Sequence, residues 1–253
     1  MSQILISAQA VSKSFPGQAD KSLVLNTIDV DIFKEDFTVI MGSSGAGKST
    51  FLYALSGMDQ ITSGRVTYQG QEINSLTEKQ MARFRAREFG FVFQQTHLVS
   101  NLTLYENVTV AGYVSGRKSG KEVQRRAGDL LAQMDVLGAK DRLPSQVSGG
   151  EAQRASVARA MVNEPGIIFA DEPTGALNRK NSEEVLNLLT GLHQKGQSIL
   201  MVTHDLRAAI RGNRLLYMED GKITGELTLE PFDTEGIKER EAKVNAWLTS
   251  LEW

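Results

Sequence analysis

The chain has 253 residues, 41% of them hydrophobic, which is enough to bury a large core in one or two domains. Its 28 basic and 30 acidic residues give a formal net charge of −2, without the dense basic stripe that captures nucleic acid. It contains no cysteine, which excludes a disulfide framework and thiolate chemistry. Because the N-terminal residues lack a signal-peptide pattern and no apolar run reaches about 18 residues, we expect neither a membrane span nor export by such a signal.

The first 36 residues show short stretches in which apolar and polar positions alternate. Such stretches lie around Ile4 and again over residues 28–32, and Pro16-Gly17 supplies a turn between them. Alternation of this kind is typical of half-buried strands. The pattern therefore predicts an antiparallel sheet at the start of the chain.

A glycine-rich loop follows the apolar run Phe37–Met41 and precedes a segment with helical spacing. It fits the G-x-x-x-x-G-K-[ST] pattern in the strand, loop and helix context that the pattern requires. Its glycines allow successive amides to point at a phosphate, and the helix N-terminus adds positive potential. We expect Lys48 to reach the β- and γ-phosphates and Ser49 to bind Mg²⁺; the alternative is an ordinary strand-to-helix turn. The predicted phosphate-binding residues are Gly42, Ser43, Ser44, Gly45, Ala46, Gly47, Lys48, Ser49 and Thr50.

The middle of the chain has a helical and charged composition. Residues 64–70 resemble a further hairpin strand, whereas residues 76–163 include helical stretches such as 77–87 and 121–137. We therefore expect a helical insert between the strand that leads into the glycine-rich loop and the next buried strand.

A second glycine motif, Ser148-Gly149-Gly150-Glu151, stands at the start of a predicted helix. Serine followed three residues later by glutamate is a capping box, which is a structural explanation of the motif. A helix that opens with two glycines also presents backbone amides and its positive end to an anion. Both interpretations hold together if this motif binds the γ-phosphate of a nucleotide held by another subunit, which predicts a dimer.

Two further apolar runs end at residues that carry chemistry. The first, over residues 167–170, leads to Asp171 and Glu172, and the second, over residues 198–203, leads to His204. Ligands of open α/β sheets bind beyond the carboxyl ends of the strands. We expect Asp171 to hold Mg²⁺ through water, Glu172 to polarise the attacking water and His204 to contact the γ-phosphate. The alternatives are a solvated acidic pair and a structural histidine.

The motifs in this order resemble those of the ATP-binding subunits of ABC transporters, over nearly the whole chain. Residues 42–49 resemble the Walker A loop, 147–151 the signature motif and 167–172 the Walker B strand with its glutamate. The resemblance implies that Phe15 stacks on adenine, although a core aromatic is the alternative, and that Gln94 links Mg²⁺ and water to a transmembrane partner. It implies that the ligands are ATP and Mg²⁺ and that Glu172, His204 and Gln94 act in hydrolysis. It also implies that Ser49, Gln94 and Asp171 contact the metal. The residues that would clamp the γ-phosphate are Ser148, Gly149, Gly150 and Glu151.

The fold class that the resemblance implies is α/β, with a phosphate-loop, RecA-like core of mostly parallel strands. An N-terminal antiparallel β subdomain and an inserted helical subdomain at about 76–163 complete an ATPase domain over 1–225. Residues 226–253 form a tail, in which 234–253 reads as an amphipathic helix that packs on its own subunit or on the dimer mate. A membrane-interface role for the tail is the alternative, because it carries Trp247 and Trp253.

Residues 90–98 and 104–108, together with the sequence Asp-Glu-Pro-Thr-Gly175, resemble more narrowly the lipoprotein-release, macrolide-efflux and bacitracin-type peptide-resistance ATPases. This branch implies a homodimer that drives an integral-membrane permease with an extracytoplasmic domain, at the cytoplasmic face of the membrane, without nucleic acid. The alternatives are a soluble ABC-type ATPase with a nucleic-acid, ribosomal or cell-division partner, and a scaffold that binds ATP without turnover. Two positions depart from the family: Asn178 replaces the usual aspartate, and Glu151 replaces the commoner glutamine.

Overall fold

The computed structural model describes residues 3–15, 23–251 and 253, so the turn predicted at Pro16-Gly17 lies outside the described residues. Two compact units divide the chain: Met1–Thr77 with Ser198–Trp253, and Glu78–Gln197. In chain order the elements are β1 (Ile4–Lys13), β2 (Leu25–Phe33), β3 (Phe37–Met41), α1 (Lys48–Leu55), β4 (Ser63–Tyr68), β5 (Gln71–Glu72), α2 (Glu78–Glu88), β6 (Phe89–Phe93), α3 (Leu104–Ser115), α4 (Gly120–Gln133), α5 (Gly149–Met161), β7 (Ile167–Asp171), α6 (Arg179–His193), β8 (Ser198–Val202), α7 (Leu206–Ala209), β9 (Arg214–Glu219), β10 (Lys222–Thr228) and α8 (Ile237–Ser250).

An antiparallel sheet forms part of the first unit, in the order β2-β1-β4-β5. In its register Ile6 lies opposite Ile32 on one side and opposite Tyr68 on the other. Ile6 and Ile32 are fully buried, which is the outcome expected when one face of alternating strands covers a core. The predicted antiparallel sheet is confirmed.

The strand that leads into the glycine-rich loop, β3, lies between β8 and β9 and runs parallel to both. Every residue of β3 and β8 is buried, which explains why these strands read as continuous apolar runs. Helix α1 contacts β8 and buries Phe51, Leu52 and Leu55 completely. The loop between β3 and α1 is therefore held by a rigid strand on one side and a packed helix on the other.

The second unit contains the parallel pair β6 and β7, in register from Phe89 opposite Ile167 to Phe93 opposite Asp171. Helix α5 packs on β6 and also contacts α3, α4 and α6. At Gly90 an added Cβ would lie 2.7 Å from the Ala160 carbonyl oxygen, so glycine permits the close approach of helix to strand. The packing fixes the two strand ends at which the predicted site residues Gln94, Asp171 and Glu172 stand.

Helix α4 ends earlier than the sequence pattern over 121–137 predicts. Its last residue is Gln133, and Asp135 has a φ of 54°, in the left-handed region that interrupts a helix. The remaining turn, Leu137–Ala139, is a 3₁₀ helix. Apolar spacing alone did not reveal this break.

The tail helix α8 packs on the first unit, to which it belongs. Val244 and Leu248 are buried, and the Trp247 ring meets the Tyr217 ring edge to face at 6.4 Å. A Cβ at Gly225 would lie 2.8 Å from Leu251 Cδ1, so the helix lies close against β10. The apolar stripe of the tail thus covers strands of its own chain. Within the described part of the chain, none of the helices combines the length and the apolarity that a membrane span needs.

Candidate functional site

The glycine-rich loop adopts a backbone path that only glycine can follow at two of its positions. Gly42 has a φ of 147°, and a Cβ there would lie 2.0 Å from the Met218 carbonyl oxygen. Gly47 has a φ of 97°, and its Cβ would lie 2.7 Å from the Val24 carbonyl oxygen. Since both values lie in conformations that L-residues rarely adopt, the glycines are required by the path of the loop.

Lys48 and the start of α1 complete the loop. The Lys48 ammonium donates hydrogen bonds to the carbonyl oxygens of Gly42 and Ser43, at 2.8 and 2.7 Å. Gly47 is the N-cap residue of α1, and no side chain among the described residues forms a capping hydrogen bond there. A helix N-terminus without a side-chain cap, next to a lysine and a curled glycine loop, is suited to an anion such as phosphate.

Phe15 lies at the end of the first strand region and is 45% exposed, so the alternative of a core aromatic is wrong. Lys13 lies over its ring at 5.0 Å and pairs with Asp59 at 2.7 Å. The pairing fixes the ammonium, which in turn holds the ring through a cation–π contact. An exposed and anchored ring is the arrangement that base stacking requires.

His204 is exposed and follows the buried end of β8. The next residue, Asp205, caps α7 by accepting a hydrogen bond from the Arg207 amide at 2.9 Å, and its carboxylate pairs with the Arg207 guanidinium at 2.9 Å. Burial alone would raise the pKa of Asp205, but the hydrogen bonds from Arg207 outweigh it and lower the pKa. His204 is therefore followed by a carboxylate that stays negative and holds the start of α7.

In the second unit, the predicted carboxylates stand at the end of β7. Asp171 is its last residue and is buried, whereas Glu172 is half-buried with a φ of 46°. A left-handed backbone costs a residue with a Cβ about 1–2 kcal/mol. The turn is closed by the Gly175 amide, which donates to the Glu172 carbonyl oxygen at 3.0 Å. Strain of this kind is typical of functional positions.

Gln94 leaves the neighbouring strand at the same end. It follows Phe93, which lies opposite Asp171 in the parallel register. A Cβ at Gly175 would lie 2.9 Å from Gln94 Nε2, so the glutamine side chain lies directly against the turn after Glu172. The structure thus brings together the predicted glutamine and the predicted carboxylates.

A residue that sequence reasoning missed connects these two strand ends. Gln153 on α5 is 1% exposed, and its Nε2 donates to the carbonyl oxygens of Phe93 at 2.8 Å and Pro173 at 2.7 Å. These carbonyls belong to the residues just before Gln94 and just after Glu172. The available signal was that Gln153 shares a helix face with Gly149, Gly150 and Ser156, because a face of small residues packs closely and an amide buried there needs partners.

The second glycine motif forms the capping box that its spacing predicts. The Ser148 hydroxyl accepts from the Glu151 amide at 3.3 Å, and the Glu151 carboxylate accepts from the Ser148 amide at 2.8 Å and hydroxyl at 2.7 Å. Hydrogen bonds from the Ser148 side chain, and then from its backbone, lower the pKa of Glu151. A Cβ at Gly150 would lie 2.5 Å from Asn181 Cγ, so the start of α5 lies closely against α6.

Asn178, where the family usually has aspartate, caps α6. Its Oδ1 accepts a hydrogen bond from the Asn181 amide at 2.9 Å. Asparagine and aspartate are about equally good at this position of a helix. The local structure after β7 therefore needs no carboxylate at residue 178.

A glycine loop between a buried strand and a helix, together with its lysine, defines a phosphate-loop nucleotide-binding protein. The model of the ABC transporter family matches residues 25–175, and the chain belongs to this family.

Three curated relatives illustrate the match. The chain is 38% identical to the bacitracin export ATP-binding protein BceA of Halalkalibacterium halodurans, over 88% of each chain. It is 42% identical to the lipoprotein-releasing system ATP-binding protein LolD of Aquifex aeolicus, over 81% of this chain and 91% of the relative. The macrolide export ATP-binding/permease protein MacB of Mannheimia succiniciproducens is 42% identical over 87% of this chain, which spans only 34% of that relative's length.

A solved structure gives the same result for the fold. The dimeric ATP-binding cassette MJ0796, in a post-hydrolysis state bound to ADP and Pi, matches with a TM-score of 0.83 and 34% identity. The match covers 90% of this chain and all of the other. The chain therefore has the fold of an ATP-binding cassette, the α/β fold that its motifs predict.

Proposed function

We propose that the protein is the ATPase subunit of an ABC transporter: it binds ATP, dimerises, hydrolyses the nucleotide and thereby drives a membrane permease. The observation that carries the proposal is the match to two relatives that are named as ATP-binding proteins. The chain covers 88% of the length of one relative and 91% of the length of the other. A third relative is named as an ATP-binding and permease protein. These names support a cassette that works with a permease.

The phosphate loop supplies the nucleotide-binding groups of this proposal. The loop amides and Lys48 bind the phosphates, and Phe15 stacks on adenine. The Lys48 ammonium donates hydrogen bonds to the carbonyl oxygens of Gly42 and Ser43, so it lies next to the loop whose amides would bind the phosphates. The exposure of Phe15 supports its role as a stacking surface.

Ser49, Asp171 and Gln94 are the residues that would hold Mg²⁺. They offer a hydroxyl, a carboxylate and an amide oxygen, a donor set that suits this hard cation. Within the second unit, Asp171 and Gln94 stand at the same ends of paired strands, which supports the assignment. When bound, Mg²⁺ would neutralise part of the negative charge of the phosphates.

Hydrolysis is assigned to Glu172 and His204. Phosphoryl transfer depends mainly on positioning and charge stabilisation, so a well-placed base suffices. Glu172 orients and polarises the attacking water, and the strained turn that holds it supports this role. His204 contacts the γ-phosphate from its exposed position after β8.

The capping-box motif is assigned to the dimer. Ser148, Gly149, Gly150 and Glu151 start α5, whose positive end we propose binds the γ-phosphate held by the other copy of the chain. The MJ0796 cassette is a dimer, which supports an assembly of two copies of this chain. Each ATP would then be clamped by two chains, which makes dimerisation depend on ATP.

The narrower part of the proposal concerns the cargo and the location. The names of the bacitracin and macrolide export relatives support a role in peptide or drug resistance, with bacitracin-type peptides as the preferred class. The permease, with an extracytoplasmic domain, would hold the ATPase at the cytoplasmic face of the membrane. Residues 98–105 supply apolar side chains that a permease helix would contact.

The test of the mechanism is Glu172→Gln, with Glu183→Gln on the exposed side of α6 as the matched control. The first variant should lose ATP turnover and still form ATP-dependent dimers in size-exclusion chromatography, because only the base is removed. The control should hydrolyse and dimerise normally. Normal turnover in Glu172→Gln would contradict the mechanism.

The cargo and the partner need a separate experiment. The tagged protein is isolated from membranes of its own cells, its partner is identified, and bacitracin sensitivity is measured in cells that carry the wild type or Glu172→Gln. A permease with few transmembrane helices and a large outer domain, together with greater sensitivity in the variant, supports the proposal. A ribosomal or cell-division partner would overturn it.

A further inference from the structure

The tail helix α8 carries an arginine that binds the end of the segment after His204. The Arg240 guanidinium donates to the carbonyl oxygens of Ile210 and Gly212 through Nε and Nη2, both at 2.5 Å. Its Nη1 donates to the Glu230 carbonyl oxygen at 2.7 Å. One side chain of the tail therefore satisfies three backbone acceptors of the first unit.

The first of these acceptors belongs to Ile210, the C-cap residue of α7, a helix of only four residues, and the second belongs to Gly212, two residues further along the chain. The last carbonyls of a helix have no partner within the helix, so a donor from elsewhere stabilises its end. A guanidinium can bind two acceptors at once through its planar fork, whereas an ammonium is a point donor. The short helix is thus fixed by Asp205 at its start and by Arg240 at its end.

The guanidinium is itself held in place. The ring of Phe232, which is buried, lies 5.7 Å from Arg240 and 4.3 Å from Arg211. Both distances lie within the range of a cation–π contact, so the ring adds a further interaction to the hydrogen bonds of Arg240.

The segment that Arg240 binds also lies against the strand of the phosphate loop. A Cβ at Gly212 would lie 2.6 Å from Val39 Cγ2 and 2.8 Å from the Phe37 carbonyl oxygen, both on β3. Residues 210–212 therefore connect three elements: the tail through Arg240, α7 with the preceding His204, and β3, which leads into the loop. Because α7 has only one turn, residues 210–212 follow His204 closely along the chain, and this short helix is the segment that separates them.

We propose that Arg240 is a positioning residue for His204, and that the tail helix thereby sets the rate of ATP hydrolysis. The proposal rests on the role assigned to His204 in the proposed function. Arg240 does not touch the nucleotide; it keeps α7 and the backbone before it in one place. Nucleotide binding should depend on it much less than turnover does.

The first measurement is steady-state ATP hydrolysis by the full chain with Arg240→Gln. We expect kcat to fall at least about fivefold, since a small misplacement of a catalytic group is costly, while KM for ATP stays within about twofold. Arg240→Lys should recover part of the rate. Lys243→Gln is the control, because it removes a positive charge from an exposed position of the same helix and should leave both constants unchanged. A normal kcat in Arg240→Gln would overturn the proposal.

The second measurement is a double-mutant cycle with His204→Ala. If Arg240 acts through His204, adding Arg240→Gln to His204→Ala should not lower the rate further. An equal fold-loss in both backgrounds would overturn the positioning role and leave the proposed function standing. Wild-type turnover in His204→Ala alone would instead refute the role of His204 in that function.

Amide hydrogen exchange of the full chain decides the case if the His204→Ala rate is too low to measure. Exchange over residues 206–212 should be faster in Arg240→Gln than in the wild type, with residues 78–197 unchanged. Faster exchange over the whole chain would indicate general destabilisation and would overturn the specific role. Unchanged exchange at 206–212 would overturn it too.

Discussion

Replacing Gln153 with methionine should destabilise the second unit and slow hydrolysis. Methionine has nearly the same length but no amide, so the carbonyls of Phe93 and Pro173 lose the donor that lies 2.8 and 2.7 Å away. A buried polar group left without a partner costs about 1–3 kcal/mol. Two such carbonyls, offset by the easier burial of an apolar side chain, give a loss of about 2–4 kcal/mol in the free energy of unfolding.

Thermal and urea unfolding are the assays for this loss. For a chain of this size about 1 kcal/mol corresponds to about 2–4 °C, so the unfolding midpoint should fall by about 5–15 °C. Gln133→Met is the control, because Gln133 is exposed at the end of α4 and its replacement should change stability by less than about 0.5 kcal/mol. Equal stability of the two variants would refute the bridging role of Gln153.

Hydrolysis gives an independent measurement for the same variant. The two carbonyls flank Gln94 and Glu172, so their release should lower kcat more than it raises KM for ATP. Measurement well below the midpoint of unfolding separates this effect from loss of folded protein. A KM that rises with an unchanged kcat would contradict the idea that Gln153 positions Gln94 and Glu172, the residues proposed to act in hydrolysis.

Two further predictions concern helix caps. Hydrogen bonds from Ser148 lower the pKa of Glu151 in the folded state below its usual 4.5. The stability that the ionised Glu151 contributes is therefore fully present above pH 4.5 and is lost as the pH falls through the lowered pKa. Glu151→Gln keeps the capping box without the titration, so urea unfolding should show a shallower loss of stability below about pH 4.5; an unchanged slope would exclude Glu151 as the cause. Asn178→Ala should cost about 1 kcal/mol in the same assay and Asn178→Asp only a few tenths, because both Asn and Asp cap α6; a large loss in Asn178→Asp would refute the equivalence.

The strands and the loop were predictable because their signals are local. Residues Phe37–Met41 read as a buried run, and the strand has these bounds, since a strand covered on both faces needs no polar position. The capping box was predictable for the same reason, as both of its partners lie within one turn. Helix α4 was predicted too long because its end depends on the backbone of Asp135, which apolar spacing does not report.

Gln153 and Arg240 were not identified from the sequence. A buried glutamine and a tail arginine look like ordinary helical residues, because their partners are main-chain carbonyls that are distant along the chain. Carbonyl oxygens carry no sequence signal. Such contacts appear only when the elements have been packed together.

The sequence by itself determined the family, the phosphate loop and the order of the motifs, because glycine conformations and the lysine are properties of consecutive residues. The tertiary structure alone decided which side chains hold these motifs in position. Phe15 is exposed and anchored by Lys13, Gln153 connects two strand ends, and Arg240 connects the tail to α7. The contacts of Gln153 and Arg240 join residues that are distant along the chain and meet only when the elements pack, and the exposure of Phe15 is a result of the same packing. Burial and side-chain direction decide these contacts, and a local sequence pattern contains neither.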